Sequence, residues 1–244
     1  MDKIEEFQME CAHRVKSYRS DKQLQSTSND FLVESVRTKY SYNFSWMGRP
    51  IIQYPQDIIA MQEIIWNVKP DLIIETGIAH GGSLIFYASM LELLGGEGKV
   101  LGIDIDIREH NRREMEKHPM NKRITMIEGS SIDTDVVEKV RRFAQGKKRV
   151  LVGLDSLHTH DHVLRELEAY SPLVSLGSYC VVFDTIIEDL PDEYLADRPW
   201  GKGNNPKTAV WKFLEGNDRF VIDKEIENKL LITACPDGYL KCVQ

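Results

Sequence analysis

The stretch Leu72-Ile-Ile-Glu-Thr-Gly-Ile-Ala-His-Gly-Gly-Ser83 constrains the fold more than any other part of the chain. Its apolar start, Leu72 to Ile74, is short and branched, which suits a strand buried on both faces of a parallel sheet. Gly77, Gly81 and Gly82 let the backbone turn tightly and approach a ligand closely. Ser83 is placed to cap a helix whose apolar positions Leu84, Ile85, Ala88, Leu91 and Leu94 recur at helical spacing. A strand, a glycine loop and a helix start put a ligand at the carboxyl end of the strand. The glycines follow Gly-x-x-x-Gly-Gly, which is not the dinucleotide fingerprint. An ordinary strand–helix turn of an α/β domain would use the same residues.

From this unit strands and helices alternate. Apolar strands are expected at Val100–Ile103, Ile124–Ile127, Val150–Leu154 and Tyr179–Val182, with helices at Asp135–Phe143 and His160–Tyr170. Alternation of this kind gives an α/β fold with a doubly wound parallel sheet, and right-handed crossovers bring the strand ends to one rim. Upstream, Asp57 opens a helix that Pro70 ends. Tyr40–Pro55 reads as an aromatic loop with a short extended piece at Ile51–Gln53. Downstream, Glu188–Pro206 is rich in proline, glycine and acids and has the composition of a lid. A helix at Thr208–Leu214 follows. Phe220–Ile222 and Leu230–Ala234 are expected to close the sheet as an antiparallel hairpin.

Residues 1–38 form a polar helical arm, and residues 39–244 form the main domain. In the arm Ile4, Phe7, Cys11, Val15 and Tyr18 fit one helix face, and Ser26-Thr-Ser-Asn29 is a loop and cap signal. Such an arm either covers the core or makes an oligomer contact. The formal net charge is −7, so a nucleic-acid partner is disfavoured. The sequence contains no signal-peptide core and no apolar run long enough for a transmembrane segment. Cys11, Cys180, Cys235 and Cys242 show no metal spacing, which indicates a reducing, cytoplasmic setting.

Each internal strand ends in or near a polar group: Glu75, Asp104, Ser130, Asp155 and Asp184. This rim is where open α/β sheets bind ligands. An acid before the first glycine, here Glu75, is usual in sites for S-adenosylmethionine (SAM). Asp104, one βαβ unit later, is placed to accept both hydroxyls of a ribose. Asp155-Ser-Leu-His158-Thr-His160-Asp161-His162 puts three histidines beside two carboxylates, which suggests a metal or a proton relay. Asp155 and Asp184, each ending a strand, would suit Mg²⁺. His158 would be free to act as a base near Asp155. His160 and His162 read as solvated residues at a helix start.

Taken together, Gln53–Asp57, Ile74–Ser83, Gly102–Asp106, Glu128–Ser131, Asp155–His158, Val182–Thr185 and Pro199–Pro206 resemble the cephalosporin hydroxylase / rhamnosyl O-methyltransferase family. The similarity runs from about Trp46 through Tyr239 and extends to the macrolide sugar O-methyltransferases. The resemblance implies a class I, Rossmann-like methyltransferase fold. It also implies SAM and a divalent cation such as Mg²⁺ as cofactors, and a sugar hydroxyl of a glycan, nucleotide sugar or glycosylated metabolite as acceptor. By position, Glu75, Gly77, His80, Gly81 and Ser83 would bind the methionine end, Asp104 the ribose, and Ser130 and Ser131 the adenine side. Asp155 would be a metal ligand and would share catalysis with His158. By analogy with the family, the protein would be a homo-oligomer. One position departs from the pattern. Members carry two adjacent acids at the end of the fifth strand, and here the pair is Phe183-Asp184. Asp184 is then the second metal ligand, and Thr185, Glu188 or a water is left for the third place.

Overall fold

A computed structural model describes residues 2–244. The arm is a pair of helices, α1 (Lys3–Tyr18) and α2 (Lys22–Arg37). Asp2 and Glu5 make a capping box on α1, and Asp21 caps α2 by accepting from Leu24 N. The expected loop at 26–29 is absent, because these residues lie within α2. There Ser28 Oγ bonds back to the carbonyls of Leu24 and Gln25, so the hydroxyl is satisfied inside the helix. α2 buries Leu32 against Tyr54, Ile186 and Leu190. α1 buries no side chain, and Ile4 and Phe7 on its apolar face are exposed.

A 3₁₀ turn at Tyr40–Asn43 leads into a two-stranded ribbon, β1 (Ser45–Trp46) and β2 (Arg49–Pro50). Met47 and Gly48 both have positive φ, as a two-residue type I′ turn requires, so the extended piece precedes Ile51–Gln53. α3 spans Pro55–Val68.

The main sheet contains β3 (Leu72–Thr76), β4 (Lys99–Asp104), β5 (Ile124–Glu128), β6 (Val150–Leu154), β7 (Tyr179–Val182), β8 (Phe220–Ile222) and β9 (Tyr239–Cys242). Their order is β5-β4-β3-β6-β7-β9-β8, with β3 to β7 parallel and β9 antiparallel to both neighbours. The fold is α/β and doubly wound, as expected. Thr76 pairs with Ile103 and with Leu154, so the carboxyl ends of the central strands share one rim.

α4 (Gly82–Leu94), α5 (Glu109–Lys117), α6 (Thr134–Ala144), α7 (His160–Tyr170), α8 (Pro206–Leu214) and α9 (Lys224–Leu230) complete the fold. On one face of the sheet Met61, Ile65, Ile85 and Phe86 pack from α3 and α4. On the other face Val140, Leu167, Tyr170, Val210 and Phe213 pack from α6, α7 and α8. Burying each such side chain stabilises the fold by about 1.5–3 kcal/mol. α5 has almost no apolar periodicity and is held mainly through buried Asn111 and Met115.

The end of the chain differs from the expected hairpin. Leu230–Ala234 is not a strand: α9 ends at Leu230, and the edge pairing is made by Tyr239–Cys242. Buried Asp57 takes the Thr233 hydroxyl, Ala234 N (2.8 Å) and Tyr239 OH (2.8 Å). The carboxylate thus satisfies polar groups of the segment that a sheet ladder would otherwise bond.

Candidate functional site

The β3–α4 loop is built from both sides. Asp104 Oδ2, at the end of β4, accepts from Ile78 N (2.7 Å) and Ala79 N (3.2 Å). Arg49 donates to the His80 carbonyl (2.6 Å) and to Asn111 Oδ1 (2.8 Å), and Asn111 Nδ2 donates to the Ala79 carbonyl (2.9 Å). Gly77 has φ +89°, and a Cβ there would strike the Asp155 carbonyl. At Gly81 it would strike Met115, and at Gly82 the Pro50 carbonyl. These glycines therefore answer to packing by the protein itself as well as to the turn.

Glu75 lies beneath the loop and is fully buried. It accepts from Ser83 Oγ (2.5 Å) and Tyr87 OH (3.0 Å). Burial outweighs these two donors and pushes its carboxyl up to about 8. Ser83 does not cap α4. Gly81, in left-handed backbone, holds the cap position, and the Ser83 hydroxyl is committed to Glu75.

Two cavities meet at the rim. One, of about 630 Å³, is lined by Gly77, Asp104, Ser130, Ser131 and His162 among others. The second, of about 290 Å³, lies toward Tyr54, Phe183 and Arg198. Asp155, His158, Asp184, Tyr42 and Trp200 line both. A minor recess beside the first is lined by Gly77, His80 and Ser83, whereas Glu75 and Gly81 line none of these spaces.

At the shared wall one donor atom each from Asp155, His158 and Asp184 lie within 4.8 Å of one another. His158 Nε2 stands 3.3 Å from Asp184 Oδ2. Asp184 is in left-handed backbone, φ +56°, an uncommon state for a residue with a side chain. Burial, and then the charge of Asp184, raise the Asp155 carboxyl well above the usual range. Two facing carboxylates and an imidazole fit a divalent cation, which would relieve that repulsion.

The two other residues considered for the third place lie elsewhere. Thr185 is fully buried, lines neither cavity, and its hydroxyl has no partner. Glu188 accepts from Gly203 N (2.8 Å) and Asn205 Nδ2 (2.5 Å), so its carboxylate is spent on the loop before α8. Phe183 packs in the core.

Residues Pro199–Asn205 fold over the wall. Asn204 Nδ2 donates to the Pro199 carbonyl (3.1 Å) and Asn205 Nδ2 to that of Gly201 (2.9 Å). Trp200 meets the His158 ring edge to face, with centroids 4.8 Å apart. His160 ties α7 to this segment through Asn204 Oδ1 and to α8 through Thr208 Oγ1.

His162 is not solvated as its place at a helix start suggests. It sits in a buried network around Glu166. Glu166 Oε1 accepts from Ser131 Oγ (2.5 Å) and Ser156 Oγ (2.7 Å), and His162 Nε2 is 3.1 Å from each hydroxyl. This network joins the end of β5 to the end of β6 along the wall of the larger cavity, which Ser131, Ser156 and His162 line. Its sequence signal is a carboxylate at 166, four residues after His162, on the apolar face that carries Val163, Leu167 and Tyr170.

A model of the family described as rhamnosyl O-methyltransferase/CmcI matches residues 38–243. A rhamnosyl O-methyltransferase of Mycobacterium tuberculosis is 30% identical over 220 residues, covering 87% of this chain and 85% of that protein. Among solved structures, CmcI with Mg and SAM superposes with TM-score 0.58 at 19% identity, covering 83% of this chain and 78% of that one. The O-methyltransferase TomG of Streptomyces achromogenes, solved with SAM, gives 0.55 at 12% identity, covering 92% and 91%. At these identities the structures establish the fold.

Proposed function

The chain belongs to the rhamnosyl O-methyltransferase/CmcI family, and from that membership we propose that it is a SAM- and Mg²⁺-dependent O-methyltransferase acting on a sugar hydroxyl. One observation carries the reading. Asp155, His158 and Asp184 stand where two cavities adjoin, as a transfer between two bound molecules requires.

The larger cavity suits the cofactor. Ser130 and Ser131 would flank its adenosine, Asp104 would face the ribose, and Gly77, His80 and Ser83 would edge the methionine end. Glu75 and Gly81 would support that end from behind the loop. When bound, SAM supplies an electrophilic methyl group and the cation supplies a Lewis acid that acidifies the acceptor hydroxyl. Asp155 and Asp184 would hold the cation, with Thr185 too deeply buried to join them without movement. His158 Nε2, which faces the acidic pair, would take the proton of an acceptor hydroxyl held at the wall. Trp200 and the lid exclude water from the wall. Incubation with methyl-labelled SAM, Mg²⁺ and a panel of glycosides tests the reading. Label should pass to a sugar oxygen and the transfer should stop on chelation; transfer that survives chelation removes the metal from it.

We read residues 1–38 as an arm distinct from the domain 39–244, and as a contact between copies. On α1 the apolar side chains Ile4, Phe7 and Met9 are exposed, which a second copy could cover. Light scattering on the full chain and on one lacking 1–38 tests this. No described helix is long and apolar enough to cross a membrane. All four cysteines are free, which supports a cytoplasmic site of action. A role in polysaccharide biosynthesis would follow from a glycan acceptor.

A further inference from the structure

The smaller cavity has a charge pattern that bears on the acceptor. Its lining acids are all committed. Asp155 and Asp184 belong to the shared wall, and Asp57 is held by Thr233, Ala234 and Tyr239. Its lining cations, Lys39 and Arg198, have no acidic partner among the described residues. Each lies instead over an aromatic ring of the same cavity. Lys39 Nζ is 6.0 Å from the Tyr42 ring centroid, and Arg198 Cζ is 5.4 Å from that of Trp200.

These rings position the cations at the reaction wall. Trp200 also packs on His158, so Arg198 stands one indole away from the residue facing the acidic pair. Lys39 is the left-handed residue, φ +55°, that joins α2 to the turn carrying Tyr42. A cation over an aromatic face keeps both its attraction to the ring and free N–H donors. With a divalent cation neutralising Asp155 and Asp184, the cations Lys39 and Arg198 face only the hydrogen-bonded carboxyl of Asp57, which leaves the cavity with an excess of positive charge. That excess occurs on a chain with net charge −7. Both cations are on exposed residues, where water solvates them until an anion takes its place, and a neutral glycoside would gain no charge contact from either.

We propose that the acceptor is an anionic sugar, whose phosphate or carboxylate is held by Lys39 and Arg198 while its hydroxyl reaches the Asp155–His158–Asp184 wall. This rests on the methyltransferase reading and narrows its acceptor. A volume of about 290 Å³ is near the lower end of small-molecule sites and suits a single pyranose unit. The planar fork of Arg198 matches either a phosphate or a carboxylate.

The test compares a nucleoside diphosphate sugar, a sugar 1-phosphate, a glycuronide and the matching neutral methyl glycoside as acceptors. It uses the full chain with Mg²⁺ and SAM. At least one anionic acceptor should exceed the neutral one in kcat/KM, and the best of them identifies the source of the charge. In Lys39→Ala and Arg198→Ala the anionic-to-neutral ratio of kcat/KM should fall about tenfold each, the scale of one hydrogen bond to a charged group. Most of that fall should appear in KM. Calorimetric titration of the same sugars into protein loaded with S-adenosylhomocysteine and Mg²⁺ reads the preference without turnover. Unchanged S-adenosylhomocysteine affinity in both variants shows that they remain folded. Equal binding of neutral and anionic sugars, or a ratio unmoved by both substitutions, overturns the proposal. Failure of SAM and every sugar to bind overturns the methyltransferase reading itself.

Discussion

His158 Nε2 and Asp184 Oδ2 are 3.3 Å apart across the wall that both cavities share. The contact puts one imidazole nitrogen beside the carboxylate pair, where it serves either as a proton acceptor or as a third donor to a cation. The two roles predict different variants. As the base, His158→Ala should lower kcat by about 10²–10⁴ while Mg²⁺ and SAM affinities change little. A matching loss of Mg²⁺ affinity by calorimetry would assign His158 as a ligand instead.

Asp155→Asn and Asp184→Asn each remove one of two facing charges. Both variants should lose Mg²⁺ binding and metal-dependent turnover. Asp155→Asn should also raise the melting temperature of the ligand-free protein near neutral pH, because folding no longer has to protonate a carboxyl that burial and the charge of Asp184 hold well above its usual range. Thermal scans without and with Mg²⁺ would show the order of stability reverse as the metal is added.

Phe183 occupies the place where the family resemblance implies a second acid, but it is nearly fully buried, packed in the core beside Gly153 where it backs the smaller cavity. Phe183→Asp should therefore not strengthen Mg²⁺ binding. It should destabilise the fold by several kcal/mol through an unpaired buried carboxylate and a lost aromatic contact. Denaturant unfolding together with Mg²⁺ titration checks both halves.

How much of this was legible in the sequence follows from the range of each signal. The central strands were readable because apolar runs such as Val150–Leu154 are buried on both faces. Asp155 and Asp184 were readable because each directly follows such a strand or the residue after it. Glu166 was not, since its role depends on hydroxyls 35 and 10 residues away that only the fold brings together. The Leu230–Ala234 segment misled for a similar reason. Its apolar run looks like a strand, but the partner of its backbone is the distant carboxylate of Asp57.

The Glu166 network makes its own prediction. Glu166→Ala removes the acceptor that Ser131 and Ser156 share beside the larger cavity and the carboxylate next to His162, at a cost of about 1 kcal/mol for each hydrogen bond lost. The ends of β5 and β6 should loosen, so SAM affinity should fall more than kcat. Glu166→Gln keeps an acceptor oxygen for one serine and should recover part of that affinity. Calorimetry with SAM on both variants distinguishes this from simple destabilisation, which the conservative change would not rescue selectively.

Glu75 predicts how the ligand-free protein responds to pH. Its carboxyl is raised from 4.5 to about 8, so the folded state holds the proton more tightly than the unfolded chain does. The resulting stabilisation is fully present below about pH 4.5 and is lost as pH rises through about 8. Asp57 acts in the same direction but over a lower window, from 3.8 to about 6. Above pH 6.5 the Asp57 contribution has mostly gone, and the remaining slope comes chiefly from Glu75 and Asp155. Between pH 6.5 and 9 the Glu75 share is about 2 kcal/mol, or about 4–8 °C in melting temperature for a chain of this size. Glu75→Gln mimics the protonated form and should remove that share, leaving a shallower fall with pH. Equal slopes for the wild-type and Glu75→Gln proteins would mean that Glu75 is ionised in the fold, stabilised by Ser83 and Tyr87 against the cost of burial.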